Sequence, residues 1–337
     1  MTITVLRPGM LASVQDLGRH GRRELGICPG GALDALGLAL ANRLAGNDDG
    51  AAGLELTLGN CELRFDADTR IALAGDDFGA RLDDRPLWPL WSVPVRAGQR
   101  LRLGGANVSP HKAGLRTWLA VAGGIDVAPV LGSRSTDLKA GFGGLEGRPL
   151  KKGDVLPLGA SRLGDGQRGR RSFGIHGPAW DEDLCEGEAA PECITLRTTP
   201  GPECGHFSEA ERRRFHTATW RITPQSNRMG SRLEGPALAR QREGDMLSSA
   251  VIPGTVQVPP SGQPIILMGD AQTTGGYPRI AVVIRADLWK LAQAPLGAKL
   301  RLKEVDAAAA LAAWAAQKRY LASVHRGLAA MGWPTAA

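Results

Sequence analysis

The stretch GDAQTTGGYPRIA, residues 269–281, sets Asp270, Gln272, Thr273, Thr274 and Tyr277 between the apolar runs 265–268 and 280–284. A hairpin needs only a few turn residues, so this connection carries more hydrogen-bonding groups than a turn requires. Carboxylate, amide, hydroxyl and phenol groups together can donate to, accept from and orient a small polar molecule. Just ahead of it, GTVQVPP puts Gln257 on an expected strand, and SNRMGSRLEGP adds Arg228 and Arg232. The first half holds two loops of similar density. SVQDLGRHGRRELGICPGGALD (13–34) carries Gln15, Asp16 and Arg19 among Gly18, Gly21, Gly26, Gly30 and Gly31. Asp16 and Arg19 are close enough in sequence for a local ion pair. The glycines let backbone N–H groups approach an anion. LGSRST then offers Ser133, Arg134, Ser135 and Thr136 in a row. Arg134 suits a bidentate carboxylate or phosphate clamp, or an interdomain salt bridge.

Several familiar chemistries lack their residues. No Lys follows Gly in a GxxxxGK frame, GFGGLE ends on Glu146 where a dinucleotide fingerprint needs Gly, and no GxSxG elbow occurs. The six His show no HExxH or HxH spacing, and the five Cys form no CxxC pair, so no metal is expected. Odd, scattered thiols fit a reducing, cytoplasmic setting. The start MTITVLRPG lacks a signal-peptide pattern, and no apolar run reaches membrane-spanning length. Net charge is +7, but the Arg residues are dispersed with few aromatics, which argues against nucleic acid and leaves an anionic substrate or acidic partner.

The elements that must position these loops are short. LRFDA, RIALAG, WLAVAGG and IAVVI are bounded by Gly, Pro and Asp, and 45 Gly and 22 Pro supply turns. Three stretches recur in order at nearly constant spacing: ITVLRPG and ITLRTTPG, IALAGD and IILMGD, GQRLRL and GAKLRL. The echoes predict two related, mainly β halves, each a compact antiparallel sheet or barrel. The expected bounds are 1–160 and 176–305, joined by a linker at 161–175. Helices are expected over 32–46, more briefly over PALARQ (236–241), and at the C-terminus over 306–332, which starts at an Asp cap.

The stretches PGMLASVQDLGRHG, LAVAGGIDVAPVLGSRST, GGLEGRPLKKGD, SNRMGSRLEGP and GTVQVPPSGQPIILMGDAQTTGGYPRIAVVIRADL lie within residues 5–305. In them the chain resembles the family that holds the 5-oxoprolinase C subunit, KipA and the second carboxyltransferase half of urea amidolyase. The resemblance implies two tandem cyclophilin-like β-barrels, in agreement with the echoes. It also implies an oligomeric assembly with a KipI-like protein, the B component, and a LamB/YcsF-like protein, the A component. The reaction implied is ATP-dependent opening of 5-oxo-L-proline to L-glutamate, with ATP used by the complex and little activity in this chain alone. In the carboxylase branch the implied step moves a carboxyl group from carboxybiotin to urea. The sequence has no Met-Lys dipeptide, so biotin would arrive on another chain, a biotin carboxylase or biotin carrier.

Either reaction handles a planar N–C=O group whose oxygen gathers charge. Gln15, Gln257 and Gln272 can bind its edge, and Thr273 and Thr274 add hydroxyls. Asp270 can orient an N–H or act as a base, and Tyr277 can donate to an oxyanion. Arg134 or Arg228 can hold a carboxylate or phosphate. The 15–19 and 270–277 loops are expected to face one another across a cleft. The contrasting expectation is a non-catalytic KipA-type regulator that binds a KipI-like inhibitor, which needs a partner surface but no polar cleft.

Overall fold

Short aliphatic runs between Gly, Pro and Asp form strands because alternate side chains then reach a shared core. The computed structural model describes residues 1–105, 114–178, 193–241 and 246–334; Cys185 lies outside them. The chain divides into two units. One comprises Met1–His20, Gly30–Gly177 and Tyr320–Ala337, the other Gly21–Pro29 and Pro178–Arg319.

The first unit contains β1 (Thr2–Pro8), β2 (Leu11–Gln15), β3 (Gly53–Thr57), β4 (Gly59–Phe65), β5 (Thr69–Gly75), β6 (Arg81–Leu82), β7 (Arg85–Pro86), β8 (Trp91–Val95), β9 (Arg100–Gly105), β10 (Arg116–Val121), β11 (Val155–Pro157) and β12 (Phe173–Gly174). They form two six-stranded sheets, β11-β1-β4-β9-β6-β7 and β12-β8-β5-β10-β3-β2. Ile3, Val5, Leu63 and Phe65 of one sheet pack with Val14, Leu54, Ile71 and Leu119 of the other in a single core. Helix α1 (Ala35–Ala45) forms where the spacing predicts it. Asp34 caps its first turn by accepting from Gly37 N at 2.7 Å, and Gly46 closes it at φ 77°.

The stretch expected as a linker is ordered within this unit. It forms α2 (Asp165–Arg168), and β12 then pairs with β8. The cause is Arg70, fully buried on β5. Its guanidinium donates to Ser92 Oγ at 2.7 Å and to the carbonyls of Gln167, Arg168, Arg170 and Arg171 at 2.7–3.3 Å. It also stacks near the Phe173 and Trp333 rings, 5.2 and 5.0 Å from their centroids. Peptide carbonyls at a helix C-terminus carry partial negative charge, so they hold this buried cation where a solvated linker would not.

The second unit contains β13 (Cys193–Pro200), β14 (Trp220–Ile222), β15 (Gly230–Glu234), β16 (Ser249–Ala250), β17 (Thr255–Gln257), β18 (Ile265–Leu267), β19 (Thr274–Gly275), β20 (Arg279–Val283) and β21 (Lys299–Glu304). Its main sheet is a closed barrel, β13-β20-β17-β18-β15-β14-β21, shut by the parallel pair β13 and β21. The ribbon β16-β19 stands apart from it. Each sequence echo falls on strands: β1 and β13, β5 and β18, β9 and β21. Their neighbours differ, since β4 separates β1 from β9 whereas β13 and β21 pair directly.

Helices α3 (Glu209–Thr217), α4 (Leu288–Gln293) and α5 (Ala307–Ala330) complete the chain. Asp306 caps α5 by accepting from Ala309 N at 2.7 Å. The structure corrects the helix expected at PALARQ. Residues 236–241 run without helical structure, and Leu238 instead bonds Gly262 O through its N–H at 3.0 Å. The helix lies earlier, at α3, where Ser208 accepts from Glu211 N at 3.2 Å.

Candidate functional site

In the first unit, Asp16 joins the two loops singled out in that half. One carboxylate oxygen accepts from Gly18 N at 2.8 Å, Ser133 Oγ at 2.6 Å and Ser135 Oγ at 2.5 Å. The other accepts from Arg134 N at 2.6 Å. Asp16 N donates back to Ser135 Oγ at 2.9 Å. Thr136 ties the same loop to β2 through Val14 O, using its N–H at 2.9 Å and its hydroxyl at 3.0 Å. Gln15, fully buried, donates to Ser13 Oγ and Thr136 O, while its Oε1 has no hydrogen-bond partner among the described residues.

Arg19, 1% exposed, donates to Val130 O at 3.1 Å and to Ser135 O, with Phe142 stacked 4.7 Å below it. The approach depends on Gly143, at φ 70°, where an added Cβ would stand 2.1 Å from the Arg19 guanidinium. Arg134 turns its guanidinium outward to Asp126 at 3.2 Å, with side chains 41% and 55% exposed. Both residues lie in the first unit. An ion pair so exposed contributes about 1 kcal/mol at most.

In the second unit, the 269–281 loop has a buried anchor and an exposed rim. Asp270 takes a bidentate ion pair from Arg228, Nε to Oδ2 at 2.8 Å and Nη2 to Oδ1 at 3.0 Å, with both side chains 5% exposed. Its echo Asp76 is held differently, accepting from the backbone N–H groups of Phe78 and Gly114, and burial raises its pKa. Beyond the anchor, Thr274–Gly275 pairs with Ser249–Ala250. Gln257, 2% exposed, donates to Tyr277 O at 3.3 Å. A Cβ on Gly275 would lie 2.5 Å from the Gln257 amide, so glycine there lets the ribbon close over it. Thr273 is buried and Gln272, Thr274 and Tyr277 are exposed. The side chains of Gln272, Thr274 and Tyr277 make no hydrogen bond among the described residues, which leaves an amide, a hydroxyl and a phenol facing solvent. Arg232 is also exposed, on β15, where its N–H donates to Ser226 Oγ at 3.0 Å.

Two supports of this rim have little signature in the sequence. Gly21–Pro29 belongs to the second unit, and Arg23 there reaches Thr273 O at 3.5 Å. Its only sequence signal is a basic GRHGRR cluster. Arg279, next to Pro278, donates to Ala250 O at 2.7 Å and to Glu203 Oε2 at 2.7 Å. The Arg279 guanidinium lowers the pKa of Glu203. A carboxylate depressed in the folded state stabilises above its unfolded pKa, and that contribution fades as pH falls through the folded value. Glu203→Gln is therefore expected to lower stability by about 1–3 kcal/mol at pH 7. The gap to the native chain should begin to narrow below about pH 4.3, the ordinary Glu value, and close as the folded carboxyl protonates, as thermal melts across pH would record. A gap independent of pH would refute this.

Among the described residues, no three or more His, Cys, Asp or Glu side chains gather as a metal site. No helix among them is long and apolar enough to cross a membrane.

Comparison with known proteins adds a family match, two relatives and a solved structure. The family model for the carboxyltransferase domain, subdomain A and B, matches residues 25–304. The chain is 46% identical over 321 residues to the 5-oxoprolinase C subunit of Escherichia coli (strain K12), covering 94% of this chain and 96% of that protein. It is 38% identical to the Haemophilus influenzae protein of the same name, covering 90% and 91%. Among solved structures, Kluyveromyces lactis urea carboxylase superposes with a TM-score of 0.83 at 29% identity, covering 96% of this chain but only 29% of that one.

Proposed function

The chain belongs to the carboxyltransferase-domain family, and from that premise we propose that it is the C-type subunit of an ATP-dependent 5-oxoprolinase that opens 5-oxo-L-proline to L-glutamate. One observation carries the reading. The similarity to the 5-oxoprolinase C subunit of Escherichia coli runs almost the full length of both chains, 94% and 96%. A KipI-like and a LamB/YcsF-like subunit would complete the assembly, ATP being hydrolysed by the complex.

Opening the lactam breaks its C–N bond and adds a water oxygen to the carbonyl carbon, with the proton passing to the leaving nitrogen. Charge gathers on the carbonyl oxygen along the way, so donors placed there lower the barrier. In this reading Tyr277 and Thr274 supply those donors, and the Gln272 amide meets the lactam edge. Arg228 is committed to Asp270, so Arg23, beside Thr273, is the better cation for the substrate carboxylate.

A carboxyltransferase reading draws on the superposition with urea carboxylase at TM-score 0.83; there biotin would ride on another chain. The test is to co-purify the chain with its partner proteins and measure 5-oxoproline-dependent and urea-dependent ATP hydrolysis, with and without avidin. The expected result is 5-oxoproline turnover insensitive to avidin and little turnover by this chain alone. Urea-dependent, avidin-sensitive turnover would replace it with the carboxylase reading. Tyr277→Phe is expected to cost about 10- to 1,000-fold in kcat with no change in melting temperature, because the side chain is 45% exposed. Full turnover by this variant would remove Tyr277 from the site.

A further inference from the structure

We propose that the outer face of the second unit's barrel, along β21, β14 and β15, docks an acidic surface of a partner protein. The inference rests on the multi-protein reading above. On β21, Leu300 and Leu302 are fully buried, which turns Lys299, Arg301 and Lys303 outward, and all three are exposed. On β14, Arg221 is exposed between buried Trp220 and Ile222. It stands directly across the ladder from Lys299. On β15, exposed Arg232 flanks buried Leu233. Lys303 stands across from Arg197 of β13, whose guanidinium is already paired with Asp287 at 2.6 Å, so the excess charge lies on β21, β14 and β15.

Like charges directly opposite one another destabilise a sheet. Relief from within the unit is small. Of the nearby acids, Glu209 and Glu211 are engaged by Arg213 and Arg214, while Glu304, 3.1 Å from the His216 ring, offsets part of the charge. Glu234, opposite Arg221, is the remaining carboxylate on these three strands. Lysine on a strand often guards an exposed edge against aggregation, but β21 is paired along its length with β13 and at Lys299 and Leu300 with β14 in a closed barrel, and the His216 ring covers Leu302 O beyond β14. Little open edge is left for these cations to protect. They form a positive face that an anionic partner would neutralise.

The chemistry of the face favours a protein. Single-stranded nucleic acid is held by aromatic stacking between phosphate contacts, and a lipid surface by inserted apolar side chains. No large exposed apolar or aromatic side chain of the described residues belongs to β14, β15 or β21. Carboxylates presented by a folded partner need neither.

The test measures association of the full chain with its co-purified partner proteins at about 20–200 mM salt, the range over which screening grows. The variant is Lys299→Glu/Arg301→Glu/Lys303→Glu, with the milder Lys299→Gln/Arg301→Gln/Lys303→Gln beside it. Arg85→Glu/Arg96→Glu/Lys152→Glu, exposed in the first unit, carries the same change in net charge as the reversal and controls for it. The expected result is an association rate at least about ten-fold slower for the reversal at low salt. The Gln variant should fall between, its salt dependence should flatten, and the control should match the native chain. Unchanged association of both variants, while the native complex turns over, would overturn the docking face and leave the functional reading intact. Loss of binding to duplex DNA or phosphatidylserine vesicles, with partner association unchanged, would also overturn it. A native chain that assembles with no partner would overturn both.

Discussion

Replacing Asp16 by Ala is expected to lower the stability of the first unit by about 3–5 kcal/mol. That corresponds to a melting temperature lower by roughly 6–20 °C for a unit of this size. The carboxylate is 8% exposed and accepts from Ser133 Oγ, Ser135 Oγ, Arg134 N and Gly18 N. Each hydrogen bond to a charged group contributes about 1.5–3 kcal/mol, and donors stranded in a buried site add their desolvation cost. The bonds share one acceptor, so the total falls short of their sum. Asp16→Asn keeps one oxygen but places an amide NH2 against donors that need an acceptor, and an intermediate loss is expected. Calorimetry measures the loss, and hydrogen exchange at the Arg134 amide locates it. Native-like melting of Asp16→Ala would mean that Thr136 and Arg19 hold the loop without it.

The same residues show what the sequence made legible. Strand positions followed from short apolar runs between Gly, Pro and Asp, as RIALAG at β5 and IAVVI at β20 show, whereas β14, only three residues long, offered no such run. Helix α1 was readable from both ends, since Asp34 and Gly46 are local signals. Helix α3 was hidden, because only Glu211 and Phe215 of its nine residues are buried, too few to make a periodic stripe. The 161–175 stretch read as linker because its composition is polar and glycine-rich. Its order comes from Arg70, about 100 residues earlier in sequence, whose bonds go to backbone carbonyls that carry no sequence signature.

The site was legible in residue types and not in partners. Asp16 and Arg19 suggested an ion pair by proximity, yet the carboxylate is filled by the 133–136 loop and the guanidinium reaches carbonyls of Val130 and Ser135. Arg134 offered a clamp, but its backbone N–H does the joining while its side chain meets Asp126 at the surface. Pairing across 42 residues in Arg228–Asp270, or 76 in Arg279–Glu203, depends on the barrel register. No local spacing encodes it.

Arg228 and Asp270 allow chemistry to be separated from scaffolding. Arg228→Met alone is expected to cost about 3–5 kcal/mol, because it leaves a buried carboxylate without its bidentate cation. Asp270→Leu alone should cost a similar amount by stranding the guanidinium. The double variant Arg228→Met/Asp270→Leu removes both charges from a site where each side chain is 5% exposed. Replacing a buried pair by apolar groups is often neutral or stabilising, so most of the lost stability should return. The coupling between the two single losses should exceed about 2 kcal/mol, as a double-mutant cycle in chemical denaturation would measure. Turnover by the assembled complex then decides the role of Asp270. If the carboxylate only anchors the loop that presents Gln272, Thr274 and Tyr277, the double variant should recover turnover along with its fold. If it orients an N–H or takes a proton, the refolded double variant should stay at least about 100-fold slow. The Asp76 echo is held by backbone amides alone among its described bonds. Only the second unit therefore spends an arginine on this position, and the exposed rim beyond it is what that arginine keeps in place. The expected outcome is recovery.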